Sequence, residues 1–195
     1  LANPGASAGW ALLLDRHAHG GASLDALIAI VRKGHSALAS AVGGSGARGG
    51  EASAPCKKAL LRAVLAKGDH GALDWHEACA RSADAIIALP PNSLEVYSEC
   101  ARTVCARMDG TSWGDAPVAG PQLVAVRGVL ERAVSEHARN PEAWLELARF
   151  ELAHGSPQDL TRVHWRAVRA VEDAEDFAEA YAELASADSE GRLAR

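Results

Sequence analysis

The segment NPEAWLELARFELAHGSPQDLTRVHWRAVRA, residues 140–170, decides how the chain is read. It spells two helices together with the signals that start them. Asn140 precedes Pro141 and Ser156 precedes Pro157. In each pair a side-chain oxygen is placed to accept from an orphan backbone N–H. Proline then takes the first helical position, where its missing donor costs nothing. Asp159 adds a negative charge to the first turn of the second helix, where the helix dipole favours it. Leu145, Ala148 and Leu152 recur at three-and-four spacing, and Leu160, Val163, Ala167, Ala170 and Val171 do the same after the Gly155-Ser156-Pro157 turn. The spacing predicts two short amphipathic helices joined by a tight connection.

The same rhythm runs through 122–137, where Leu123, Val126, Leu130, Ala133, Val134 and His137 share a face. Turn residues cluster at Asn3-Pro4-Gly5, Gly20-Gly21, the 43–55 stretch, Gly68-Asp69, Pro90-Pro91-Asn92, 109–121, Asn140-Pro141 and Gly155-Ser156-Pro157. They divide the chain into about nine helical pieces. Composition agrees: alanine fills 42 of 195 positions, aromatics are 5%, and β-branched residues are few and mostly valine. Alanine has the highest helix propensity and packs poorly on a pleated sheet, so the expected class is all-α.

The helices repeat. Arg132-Ala133-Val134 returns as Arg166-Ala167-Val168, an offset of 34 residues. Glu95, Tyr97, Glu99, Ala101 and Arg102 align with Glu142, Trp144, Glu146, Ala148 and Arg149 at an offset of 47. The 109–121 stretch accounts for the difference as an insertion of about 13 residues into the same period. A period near 34 with two helices per unit is that of a helix-turn-helix solenoid repeat, in which each hairpin covers its apolar face only by stacking on a neighbour. The expected organisation is four hairpins, at about 4–42, 54–89, 92–138 and 141–171, then a capping helix near 174–187. In domain terms, 1–90 holds the first hairpins with a flexible Gly-rich linker at about 43–55, 91–187 holds the repeats and cap, and 188–195 is a tail. From Glu172 to Glu190 there are eight acidic residues and no basic one, with Phe177, Tyr181 and Leu184 on one stripe. That pattern suits the end of a stack, with an acidic recruiting surface as the alternative.

Trp144, the Phe150-Glu151 pair and the string Arg162, Trp165, Arg166, Ala167 resemble the half-a-TPR (HAT) repeat. That pattern sets an aromatic early in the first helix, an aromatic–Glu pair near its end, and Arg-x-x-aromatic-x-Arg-Ala in the second. Tyr97, Ala101 and Arg102 keep part of it one repeat earlier, where Thr103-Val104 replaces the aromatic–Glu pair. Among HAT proteins, the block 151–184 is most similar to those of the small-subunit processome, through His154-Gly155-Ser156-Pro157, Trp165-Arg166-Ala167 and the helix containing Phe177. The resemblance implies a right-handed α-solenoid and a non-catalytic scaffold in pre-rRNA processing and ribosome biogenesis. It also implies protein partners within a large ribonucleoprotein complex and a nucleolar location. Tyr97, Ala101, Trp144, Ala148, Phe150, Trp165 and Ala167 are then packing residues: aromatics fill the gap between hairpins and alanines allow close helix approach. An mRNA-processing HAT protein, or a plain TPR adaptor, is the alternative within this fold.

Charge limits the partners. Twenty basic against 25 acidic side chains leave a net charge of −5, which argues against bulk-charge binding of nucleic acid. Arg162, Arg166 and Arg169 nevertheless lie on one stripe, roughly 180–240° from Leu160 at 100° per residue and opposite Val163, Ala167 and Val171. They could hold phosphates of pre-rRNA or snoRNA, or an acidic partner segment. The plainer reading is a solvated face, or pairing with Glu172, Asp173 and Glu175.

Catalytic signals are sparse. Gly44-Ser45-Gly46-Ala47-Arg48-Gly49 spells G-x-G-x-x-G but follows a helix and lacks a βαβ unit, so a linker is expected there rather than a pyrophosphate site. His76 and Cys79 are one turn apart, with Asp69, His70 and Asp74 nearby, yet no second Cys/His pair completes a zinc site. A metal-dependent all-α enzyme built there is the remaining alternative. No nucleophile elbow, phosphate loop or zincin helix occurs. The expectation is a non-enzyme with no cofactor, no metal and no small-molecule substrate. Cys56, Cys79, Cys100 and Cys105 all fall in expected helices and read as reduced core thiols, which points to an intracellular compartment. No apolar run reaches membrane-spanning length and no signal peptide is visible, so no membrane partner is expected. The chain begins at Leu1 rather than methionine and reads as a fragment.

Overall fold

The structure, a computed structural model, describes residues 4–41, 47–67, 74–105 and 120–193. Among them every regular element is an α-helix: α1 Pro4–His19, α2 Leu24–Ala41, α3 Ala47–Lys67, α4 Trp75–Ile87, α5 Leu94–Cys105, α6 Gly120–Glu136, α7 Pro141–His154, α8 Pro157–Ala170 and α9 Ala174–Leu193. The all-α expectation and the nine-piece division both hold. The chain forms two compact units, Leu1–Ala106 and Arg107–Arg195.

In the first unit α3 is the central helix and packs against α1, α2, α4 and α5. Its buried residues Ser53, Cys56, Lys57, Ala59, Leu60, Leu61, Ala63 and Val64 cover most of its circumference. Leu14, Leu27, Val31, Leu38, Ile86 and Tyr97 close around it from the neighbouring helices. Burying side chains of this size stabilises by about 1.5–3 kcal/mol each, which is why a helix with poor intrinsic signals still forms. The α1–α2 turn uses Gly21 at φ 79°, with Ala22 N–H donating to His17 O at 3.0 Å and Gly21 N–H to Ala18 O at 3.1 Å. A left-handed residue after a helix end is a conformation glycine adopts without a Cβ penalty. Gly34 lets α1 approach α2: a Cβ there would meet the Trp10 ring at 3.1 Å.

In the second unit α7 is central and packs on α6, α8 and α9, while α8 also packs on α9. Within each unit the principal contacts of a helix are therefore with the next one or two along the chain. Both expected helix starts are present. Asn140 Oδ1 accepts from Glu142 N–H at 3.0 Å. Ser156 and Asp159 form a reciprocal capping box, with Asp159 N–H to Ser156 Oγ at 3.2 Å and Ser156 N–H to Asp159 Oδ2 at 3.2 Å. Phe177, fully buried, anchors α9.

Four boundaries differ from the sequence expectation. Residues 47–55, expected in a flexible linker, are the opening turns of α3, which runs through Pro55. Tertiary contact explains it: Ser53 is fully buried, and Ser7 Oγ donates to Ala52 O at 2.6 Å, so α1 holds this stretch in helix. The expected domain boundary at 90/91 is displaced, because α5 packs on α3 and α4 and belongs to the first unit. In consequence the expected 92–138 hairpin divides, α5 lying in one unit and α6 in the other. Finally, α9 runs on to Leu193, so most of the expected 188–195 tail is helical. Residues 42–46 and the insertion from 109 to 119, with Trp113, lie outside the described residues.

Candidate functional site

The motif residues of the second unit meet at the junction of α6, α7 and α8. Trp144 on α7 is 4% exposed, and its indole N–H donates to Ala138 O at 2.7 Å, tying the α6–α7 turn to the helix that follows. Phe150 is fully buried and Glu151 beside it is 3% exposed. The Glu151 carboxylate accepts two bonds from Arg127 on α6, from Nε at 2.6 Å and Nη2 at 2.8 Å. Arg127 also lies over the Phe150 ring, 5.8 Å from its centroid. One turn along α6, Glu131 accepts a second fork from Arg166 of α8, both bonds at 2.7 Å. The Arg166 guanidinium sits 5.1 Å from the Trp144 ring centroid. Two bidentate Arg–carboxylate pairs, each with an aromatic face, thus bind α6 to α7 and α6 to α8. The fork geometry suits arginine and not lysine. These hydrogen bonds raise both guanidinium pKa values further, so the charges persist at any working pH. Ala148 and Ala167, both fully buried, are the small residues at this junction.

The arginine stripe is divided by this arrangement. Arg166 is committed to Glu131. Arg162 is exposed and pairs within its own helix with Asp159 at 3.1 Å. Arg169 is exposed and has no ion pair among the described residues. The acidic residues expected to neutralise the stripe do not do so there, and Glu172 pairs instead with Arg139 at 3.2 Å. Trp165 departs from the packing expectation: it is 57% exposed, and its ring meets that of His164 in a T-shaped contact, 5.5 Å between centroids. The ring that packs α8 onto α9 is His164, 4.6 Å from Tyr181 and 6.1 Å from Phe177. Burial raises the Tyr181 pKa. Asp159 is held below the usual carboxylate range, chiefly by the Ser156 hydroxyl, then by the Ser156 N–H.

In the first unit Tyr97 and Ala101 are fully buried on α5, in keeping with their packing role. The side chain that sequence reasoning missed is Lys57. It has no exposed surface, and its Nζ donates to Leu89 O at 2.6 Å, Asn92 Oδ1 at 2.8 Å and Pro91 O at 3.3 Å. The ammonium stands just beyond the C-terminus of α4, the negative end of that helix dipole, and pins the α4–α5 turn onto α3. A signal was present: Ser53, Lys57, Leu60 and Val64 are one helical stripe, so Lys57 occupies a core position.

Burial raises the thiol pKa values, to about 11 for Cys56 and Cys105 and about 12 for Cys100, which makes poor nucleophiles of them. His35 Nδ1 and Ser53 Oγ are 3.1 Å apart, but Ser53 has no exposed surface for a substrate to reach. A cleft of about 360 Å³ between α1 and α3 is lined by Asp15, Ala18, His19, Arg62, Ala63 and Ala66. Among the described residues that line it there is no hydroxyl or thiol nucleophile, and His19 Nδ1 is bonded to Asp15 O at 2.7 Å. Among the described residues no group of three or more His, Cys, Asp or Glu side chains is placed to hold a metal ion. Cys79 is fully buried, while Asp69, His70 and residues 44–46 of the glycine string lie outside the described residues. No described helix is long and apolar enough to cross a membrane.

Comparison of the chain with protein-family models, curated proteins and solved structures finds no match. The site is therefore read from its own geometry. It is an interhelical lattice of aromatic, alanine and paired arginine side chains, with one indole and two guanidinium groups turned outward on α8.

Proposed function

We propose that the chain is a non-catalytic HAT-type scaffold, each unit stacked as part of a right-handed α-solenoid with α9 as its cap. In this reading it holds protein segments within a ribonucleoprotein assembly of the nucleolus. The assembly is the small-subunit processome, where the chain resembles the C-terminal part of the sixth U-three small nucleolar RNA-associated protein. The observation that carries the reading is the use made of the motif residues. Trp144, Phe150, Glu151 and Ala167 are buried, and Arg127–Glu151 and Arg166–Glu131 pair from helix to helix, with the Arg166 guanidinium over Trp144. A repeat scaffold needs those residue types for this reason, since each hairpin buries its apolar face only against its neighbours. Packing of each helix on the next one or two along the chain supports the same reading.

The test is affinity purification of the tagged chain from nucleolar extract, followed by identification of its partners. Recovery of processome proteins is the expected result. Recovery of mRNA-processing factors in their place would move the chain to the alternative adaptor role, and recovery of neither would end the ribosome-biogenesis assignment.

A further inference from the structure

We propose that the outward face of α8 docks a short acidic protein segment, with Trp165 as the apolar anchor and Arg162 and Arg169 as the flanking cationic contacts. Exposed positions along α8 are Pro157, Gln158, Thr161, Arg162, Trp165 and Arg169. Arg162 lies three residues before Trp165 and Arg169 four after it, so all three project from one face. An indole that is 57% exposed on a helix whose other face is well packed is a costly use of tryptophan in solvent. Tryptophan and arginine are also the residues that dominate protein interfaces, because a large ring and a planar fork give much contact for little lost freedom.

The neighbouring charges select the occupant. Arg166 is consumed by Glu131, leaving two outward guanidinium groups, about 10 Å apart at 1.5 Å per residue. Arg162 shares its charge with Asp159, but an exposed pair three residues apart is weak and yields readily to an incoming carboxylate. On α9, packed against α8, the exposed residues include Glu175, Asp176, Glu179 and Glu183. A nucleic-acid strand long enough to use both arginines runs its further phosphates within a Debye length of those carboxylates and is repelled. A short peptide with one acidic residue on each side of a leucine or aromatic matches the arginines and adds no further charge. In extended form, acidic residues three positions apart span the required 10 Å or so, at about 3.3 Å per residue.

This inference rests on the scaffold reading and names the partner chemistry of one face. Its test uses the isolated chain, so it can fail while processome association stands. Random peptides of about twelve residues, displayed on phage, are selected on the full chain. The expected binders carry net negative charge around one large apolar residue. Their affinity falls about tenfold or more on Trp165→Ala, the loss typical of truncating a central interface tryptophan. A similar loss is expected for the Arg162→Glu, Arg169→Glu double variant. Because these side chains are largely exposed, the helical circular dichroism is retained and the urea midpoint moves only slightly. No selected binders, binders without acidic bias, or binders indifferent to both variants would overturn the proposal. So would single-stranded oligouridine binding that depends on Trp165, which would make the face an RNA contact instead.

Discussion

Replacing Lys57 by methionine tests whether the first unit is held by a buried ammonium group. Methionine keeps most of the volume and removes the charge and its donors. Three acceptors lose their cation: Leu89 O and Asn92 Oδ1 at 2.6 and 2.8 Å, and Pro91 O at the longer 3.3 Å. A buried acceptor left unmade costs about 1–3 kcal/mol, so the two short contacts alone amount to about 2–6 kcal/mol. Against this, the variant no longer desolvates an ammonium, which returns part of that cost. The net expectation is a loss of about 2–3 kcal/mol. Urea unfolding followed by circular dichroism reads it as a midpoint lowered by about 1–2 M, at a slope of about 1–3 kcal/mol per molar. Lys58→Met, which disturbs only the partly exposed pair with Glu95, serves as control and changes stability by about 1 kcal/mol or less. Adding Asn92→Leu to Lys57→Met removes one orphaned acceptor with its donor, so the double variant loses less than the sum of the singles. A Lys57→Met midpoint equal to or above that of the parent would refute the argument, because the ammonium would then cost more than its contacts return.

Three further outcomes follow from the same geometry. Gly128→Ala on α6 meets nothing within 4 Å and raises stability by about 0.5–1 kcal/mol through helix propensity, whereas Gly155→Ala brings a Cβ to 2.1 Å from Glu151 Oε2, displaces the Arg127 fork and costs about 2 kcal/mol or more; thermal melts of the two variants shift in opposite directions. Burial, then the Lys57 charge, depresses the His35 pKa from its ordinary 6.5, so the unfolded chain binds the proton first and stability falls as pH drops below about 6.5 toward the lower folded value. His35→Asn, which can still reach Ser53, flattens that part of a urea-midpoint profile; an unchanged profile would show that His35 does not carry it. Cys56, Cys79 and Cys100 are buried, and the raised thiol pKa values of Cys56 and Cys100 add to that protection, so a thiol reagent at neutral pH labels these three only upon unfolding, a difference that mass spectrometry reads directly.

Much of the candidate site was legible in the residues alone. Asn140, Ser156 and Asp159 act as caps because capping is chemistry between neighbours in sequence, within reach of any local reading. Trp144, Phe150, Ala148 and Ala167 are buried, as their helical stripe required. Trp165 was not legible. The pattern placed an aromatic there, but His164 turns into the α8–α9 seam instead, and a single 100° step along the helix exchanges core for solvent. Arg166 read as one of three equivalent cations until Glu131, 35 residues away, proved to be its partner.

What the sequence determined by itself is local: nine helices among the described residues, their caps, the turn ends, and the face of each helix that must be covered. Helix periodicity and capping depend on residues within one or two turns, so one chain read in order suffices. Which neighbour covers each face was decided only in three dimensions. Contacts from α1 hold residues 47–55 in helix despite Pro55, three oxygens beyond α4 allow Lys57 into the core, and the first unit claims α5. Burial and pairing are properties of the space between helices, where the free energy of one side chain depends on atoms many turns distant along the chain.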